Sequence, residues 1–157
     1  MIEILIVVAV INIIAAIAIP NLLSAVQRGR QKRSMADIKT AATTWETYYV
    51  DYSYYFNAGG CPAPPGSPAG IASAILVTEM SQLLIPTYIA KLPLKDGWNN
   101  YCFFWVDRRS IAQEYRIESF GMDMSADSYC GMTTSLTNDI VLSNGQFIEW
   151  PEGAQIK

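Results

Sequence analysis

The sequence predicts an α+β protein in which a long N-terminal helix packs, by its second half, on a C-terminal antiparallel β-sheet of three or four strands. Two observations lead to this prediction. Near Pro20 the chain changes from apolar on all sides to apolar at helical spacing on one side. After residue 100, short runs rich in β-branched and aromatic residues are separated by turn signals, a pattern typical of strands.

The first nineteen residues contain only two polar side chains, Glu3 and Asn12. As a helix this run would be about 28 Å long, which is enough to cross the hydrocarbon core of a bilayer. Beyond Asn21 the apolar residues recur at spacings of three and four, so the same helix is expected to continue to about residue 55. They are Ile38, Ala41, Ala42, Trp45, Tyr48, Tyr49, Tyr52 and Tyr55.

The remainder of the chain is divided by its proline and glycine residues. Residues 57–70 are expected to form a loop, and residues 71–85 a short buried helix that ends at Pro86. Strands are predicted over 101–107 and 113–119, and a hairpin over 139–150 with its turn at Asn144-Gly145. Between them, the acidic stretch 120–138 is expected to be a long loop. The chain is therefore divided into an apolar helix, 1–27, and a globular head, 28–157.

Composition narrows the possible functions. The chain has no histidine, which excludes histidine acid–base catalysis and histidine-ligated zinc. No pair of carboxylate, thiol or lysine residues is marked by spacing as a catalytic pair, so no enzyme activity is predicted. Hydrophobic residues make up 51% of the chain and charged residues only 16%. Some of the chain is therefore expected to contact lipid or other subunits.

Charge is distributed unevenly along the chain. Residues 1–39 carry a net charge of +3 and residues 40–157 a net charge of −6, for a total of −3. The basic run 28–39 is typical of a solvated helix face or a lipid headgroup anchor, and no specific nucleic acid is predicted as a partner. A cleavable signal peptide fits poorly, because no basic residue precedes the apolar run.

The string MIEILIVVAVINIIAAIAIPNLL resembles the N-terminus of type IV pilins and of the major pseudopilins of type II secretion. More loosely, LPLKDGWNNY, EYRIESFGMD and NDI are similar to the globular domain of major pseudopilins. The resemblance implies a structural subunit that polymerises through its apolar helix into an extracellular type IV pilus-like filament. The alternative it implies is the major pseudopilin of a periplasm-spanning pseudopilus.

The same resemblance implies partners and a location. The partners are other copies of the chain, the bacterial inner membrane before assembly, the pilus assembly machinery and a prepilin peptidase. Family members mature to an N-methylated residue, so a leader and two further residues are expected before Met1. The protein would begin in the inner membrane and end in an extracellular filament or a periplasmic pseudopilus.

Three residues of the apolar helix are candidates for assembly roles. A carboxylate inside a lipid-length segment is costly unless it is paired, and the resemblance implies that Glu3 pairs with the N-terminal ammonium of a neighbouring subunit. The alternative is an incidental polar residue at a fraying terminus. Between Asn12 and Pro20 the helix is expected to loosen on assembly; the alternative is a simple kink.

Cysteines and acids supply two further predictions. At least one disulfide is expected, with Cys102–Cys130 preferred over pairings that use Cys61. Major pseudopilins carry calcium in the corresponding loop, so the resemblance implies a calcium site at Asp123, Asp127, Asn138 and Asp139. The alternative is a solvated acidic surface.

The aromatic stretch 45–56 is interpreted as core packing, rather than as a conductive path.

Overall fold

The structure, a computed structural model, describes residues 2–56, 71–75, 77–107, 111–127 and 131–156. It has a long N-terminal helix and a C-terminal mixed sheet, so the predicted α+β class is confirmed. The elements in chain order are α1 (Ile2–Tyr52), β1 (Ile71–Ile75), α2 (Val77–Leu84), β2 (Phe103–Asp107), β3 (Tyr115–Ser119), β4 (Gly131–Ser135), β5 (Ile140–Ser143) and β6 (Gln146–Ile156).

The second half of α1 provides one wall of the core. Ile38, Ala41, Ala42 and Trp45 are at most 1% exposed, and their spacing of three and four places them on one face of the helix. Across from them, Phe104, Ile117, Leu142 and Phe147 are cross-strand partners in one row of the sheet. The one-faced pattern of the sequence therefore marks the side of α1 that packs on the sheet.

The sheet has six strands in the order β1-β2-β3-β5-β6-β4, of which five follow residue 100. The prediction of three or four strands was too low, and the prediction of a purely antiparallel sheet was wrong, because β4 pairs with β6 in parallel. Hairpin signals in a sequence identify only strands that are neighbours in the chain. The β4–β6 pair joins strands that are separated by β5, and it covers an edge of β6 that would otherwise be unpaired.

Two segments differ from their predicted structure. Residues 71–75 form strand β1 on the edge of β2, and only Val77–Leu84 is helical, whereas a helix over the whole of 71–85 was predicted. A short apolar run fits either structure, and the open edge of β2 decides between them. Strand β4 likewise lies inside the predicted loop 120–138. The predicted loop 57–70 lies outside the described residues.

The predicted hairpin at Asn144-Gly145 is confirmed. Both residues have positive φ, 47° and 81°, as a two-residue hairpin turn requires. The turn is fixed to α1 because the Lys39 ammonium donates a 2.7 Å hydrogen bond to the carbonyl of Gly145. The Asn144 side-chain oxygen accepts a 3.0 Å hydrogen bond from the Tyr115 N–H. The hairpin therefore holds helix and sheet in register.

Candidate functional site

The first half of α1 carries a large apolar surface that the described residues leave uncovered. Its big side chains from Ile2 to Val26 are 44% to 72% exposed. By length and composition, α1 is the one helix among the described residues that could cross a membrane. Exposed apolar surface of this extent is typical of a site that contacts lipid or protein.

Glu3, Asn12 and Pro20 all lie on this exposed segment. They follow one another along the helix, with about 25 Å between Glu3 and Pro20, so the single chain does not bring them together. Helix α1 runs without a break through Pro20, although proline cannot donate the helical hydrogen bond. The Ser24 hydroxyl donates to the Pro20 carbonyl at 3.1 Å. The predicted loosening between Asn12 and Pro20 concerns the assembled state and stays a prediction.

The base of the head is a loop, residues 91–101, that packs against α1 where the apolar surface ends. The Trp98 indole N–H donates to the Gln27 side-chain oxygen at 2.8 Å. The backbone N–H of Gly97 donates to the Ser34 hydroxyl at 2.8 Å. Asp96, only 4% exposed, accepts hydrogen bonds from the N–H groups of Trp98 and Asn100 and from the Ser119 hydroxyl. The loop is thus a rigid turn fixed to the helix.

A groove of about 580 Å³ lies between this loop and α1. Its walls carry the cationic side chains of Arg33, Lys91 and Lys95 and the exposed ring of Tyr101. The Lys95 ammonium lies 4.7 Å from the centre of that ring. The lining also holds two acids, Asp37, which lies 3.4 Å from Arg33, and the buried Asp96, so its net charge is +1. The groove is therefore positively charged beside an aromatic ring.

The residues of the predicted calcium site make other contacts in the structure. Within the described ranges, no three His, Cys, Asp or Glu side chains form a group that could hold a metal ion. Asp123 instead accepts a 3.1 Å hydrogen bond from the Ser125 N–H. Asp139 accepts a 2.8 Å bond from the Asp127 N–H, and Asn138 is half-buried. Asp139 is 0% exposed, so it does not belong to a solvated surface, and the predicted calcium site stays a prediction.

Asp139 belongs instead to a buried group of acids on the face of the sheet away from α1. Glu118 on β3 pairs with Val141 on β5, which pairs with Glu149 on β6, so their side chains share one face. Asp139 immediately precedes β5. Glu118 and Glu149 are 5% and 1% exposed. The sheet therefore places these acids on one face and withdraws them from bulk water.

Burial dominates the electrostatics of this group. Loss of hydration raises the pKa of Asp139 to about 7, and the neighbouring acids add to the shift. Burial and the charge of Asp139 raise the pKa of Glu149 to about 8. Burial also raises the pKa of Glu118, against the opposing effect of Arg116, whose guanidinium lies 2.6 Å from the Glu118 carboxylate. Asp139 Oδ1 and Glu149 Oε1 have no hydrogen-bond partner among the described residues.

Sequence reasoning missed Glu118, Glu149 and Arg116. They alternate with apolar residues along their strands, which predicts a solvent-facing side of a two-layer protein. The sequence holds no signal that this second face is covered. The burial of these acids arises only in the folded chain, where β3, β5 and β6 lie side by side.

Cys102 is buried and has no disulfide partner among the described residues. Its backbone N–H donates to the Leu94 carbonyl at 2.9 Å, at the edge of the basal loop. Cys61 and Cys130 lie outside the described residues. Each of the three pairings that the sequence allows uses one of these two residues, so the predicted disulfide stays a prediction.

Cys102 is expected to resist alkylation in the folded protein. Burial, with smaller effects of Asp96 and Asp37, raises the pKa of its thiol to about 12, so very little reactive thiolate forms at neutral pH. Iodoacetamide applied to the native chain in detergent should leave Cys102 unmodified in peptide mass spectra, whereas treatment after unfolding should modify it. Fast labelling of the native thiol would contradict the burial argument. The same spectra, recorded without reductant, test the predicted disulfide and show which two cysteines form it.

The aromatic stretch 45–56 forms part of the core. Trp45 is 0% exposed, and its ring lies edge-on to Tyr55 and Phe104 at 5.5 and 5.9 Å between centroids. The Tyr115 hydroxyl, beside them, donates to Glu46. Edge-to-face contacts of this kind are the ones that aromatic side chains prefer in interiors. The stretch therefore stabilises the contact between helix and sheet.

The described residues provide surfaces suited to binding: an apolar helix, a basic groove at its end and a fixed head. Comparison of the chain with models of protein families, with curated proteins and with solved structures found no match in any of the three.

Proposed function

We propose that the protein is a structural subunit that polymerises, through the first half of α1, into an extracellular type IV pilus-like filament. One observation supports this above the others. About 25 residues of α1 project from a well-packed head with their large apolar side chains exposed. Such a surface is unstable in water and must be covered. Lipid covers it in the inner membrane, and other copies of the helix cover it in the filament.

The division of α1 into an exposed apolar segment and a segment that packs on the head fits this role. The buried residues of the helix begin at Gln31, and the segment before them contributes nothing to the core of the head. The apolar segment is therefore free to exchange lipid for neighbouring helices while the head stays folded. A prepilin peptidase and a cytoplasmic assembly machinery would process and extract the subunit. A major pseudopilin of type II secretion would use the same surfaces in the same way.

Glu3→Ala is the direct test of assembly. In the proposed filament, Glu3 neutralises the N-terminal ammonium of a neighbour, and removal of one partner leaves the other charge buried and unpaired. Filament yield should fall at least about tenfold, the equivalent of about 1.4 kcal/mol per contact, while the subunit accumulates folded in the membrane. Sheared filaments and the membrane fraction are both quantified by immunoblot.

The matched control is Glu114→Ala, which removes the same charge from an exposed position of the head. It should assemble normally. Wild-type filament amounts in Glu3→Ala would refute the pairing role. Electron microscopy of sheared cell surfaces then separates the two versions of the function: long filaments indicate a pilus, and their absence from cells that secrete normally indicates a pseudopilus.

A further inference from the structure

We propose that the base of the head is a docking surface for anionic lipid headgroups, formed jointly by the basic turn of α1 and the loop 91–101. The inference rests on the membrane location in the proposed function, but it does not depend on polymerisation. It assigns a role to a groove and to two lysines, Lys91 and Lys95, that lie far from α1's basic run in the sequence.

The length of the apolar helix sets the height of this surface. The last large apolar side chain exposed on the first half of α1 is Val26, so a hydrocarbon core of about 30 Å ends close to it. Residues 27–34 then rise about 10 Å above that boundary, through a headgroup layer that is about 5–8 Å deep. The basal loop contacts α1 over this same stretch, through Gln27 and Ser34. The loop therefore lies at headgroup level.

Charge at this level is strongly positive. The cations are Arg28, Arg30, Lys32 and Arg33 on α1 and Lys91 and Lys95 on the loop. Two acids lie among them, Asp96, which is buried within the turn, and Asp37, which pairs with Arg33, so the cations exceed the acids by four. Basic clusters beside a membrane segment are attracted to anionic lipids. Six cations from two separate segments thus lie at the level of the same leaflet.

The aromatic residues of the loop favour lipid over a protein occupant. Tyr101 is 55% exposed with Lys95 over its ring, and the half-buried Trp98 points its N–H to Gln27. Tyrosine and tryptophan are enriched at the level of the headgroups, where one end of the ring is apolar and the other is wet. The groove of about 580 Å³ beside them has room for a phosphate headgroup against Lys91 and Lys95.

The experiment compares the full chain in nanodiscs of phosphatidylcholine with nanodiscs that also contain phosphatidylglycerol, loaded with one chain per disc. Hydrogen exchange of the amides of residues 91–102 is followed by mass spectrometry. Exchange should be about three- to tenfold slower in the anionic discs, and the difference should disappear in molar salt, where the screening length is only about 3 Å.

Lys91→Gln/Lys95→Gln should abolish the lipid dependence. The matched control, Thr43→Glu/Thr47→Glu, changes the net charge by the same amount at exposed positions of α1 that lie about 15–20 Å farther from the membrane. It should keep the lipid dependence. Equal exchange in both lipids, or a lipid effect that survives loss of both lysines, overturns the proposal. Protection that appears only when several chains share a disc also overturns it, because the occupant is then a second copy.

Co-elution of the chain with the discs distinguishes a failure of this inference from a failure of the proposed function on which it rests. A chain that fails to enter the discs refutes the membrane location itself. A chain that enters them without any dependence of exchange on anionic lipid refutes only the docking surface.

Discussion

Gly97→Ala is expected to destabilise the head by about 3 kcal/mol, which corresponds to a fall of roughly 10 °C in the melting temperature. A Cβ at this position would lie 2.1 Å from the carbonyl oxygen of Arg30 and 2.7 Å from its carbonyl carbon. Both atoms belong to the backbone of α1, so they cannot rotate away. The loop would have to separate from the helix and lose the hydrogen bonds to Ser34 and Gln27.

Gly29→Ala provides the matched control on the same helix. A Cβ added at Gly29 would have no other atom within 4 Å, and alanine is a better helix former than glycine by about 0.5–1 kcal/mol. Thermal unfolding of the full chain in detergent, followed by tryptophan fluorescence, should therefore show Gly29→Ala slightly above wild type and Gly97→Ala far below it. Equal melting temperatures for the two variants would show that the loop does not pack on α1 as described.

The free energy of unfolding of the head is expected to decrease as the pH rises from about 5 to about 8. In the folded protein the pKa of Asp139 is about 7 and that of Glu149 about 8, whereas both are near 4 in an unfolded chain. Between these values the folded state binds more protons than the unfolded state. Linkage then requires that stability, fully present below about pH 4, is lost as the pH passes through the folded pKa values.

The expected loss is about 2–4 kcal/mol across this window, because the two acids interact and their shifts do not add. Denaturant titrations of the full chain in detergent at pH 5 and pH 8.5 measure it. Asp139→Asn with Glu149→Gln replaces both groups by neutral side chains of similar shape and should flatten the dependence.

Glu114→Gln is the control, because it changes an exposed acid directly before β3 and should leave the slope intact. Stability that increases between pH 5 and pH 8.5 would contradict the burial of these acids. If the double variant keeps the pH dependence of stability, other groups, such as Glu118, are its cause.

Local patterns in the sequence were sufficient for several elements. The change of periodicity after Pro20 predicted one long helix and the face that packs on the sheet, because a helix of 3.6 residues per turn must repeat its apolar residues at three and four. The Asn-Gly dipeptide predicted the hairpin, because few residues tolerate two successive positive φ angles. The apolar run with its single acid, Glu3, predicted the exposed segment, because it can be identified from consecutive residues alone.

The tertiary structure alone decided what depends on distant partners. Residues 71–75 became a strand because β2 offered an open edge, and β4 joined β6 in parallel across an intervening strand. The burial of three acids and of the Cys102 thiol depends on contacts with segments that are distant in the sequence. The acids are Glu118, Asp139 and Glu149. The sequence determined which segments are helix, hairpin or apolar anchor, since these depend on neighbours within a few residues. Contacts between distant segments determine which strand edges pair and which acids are buried.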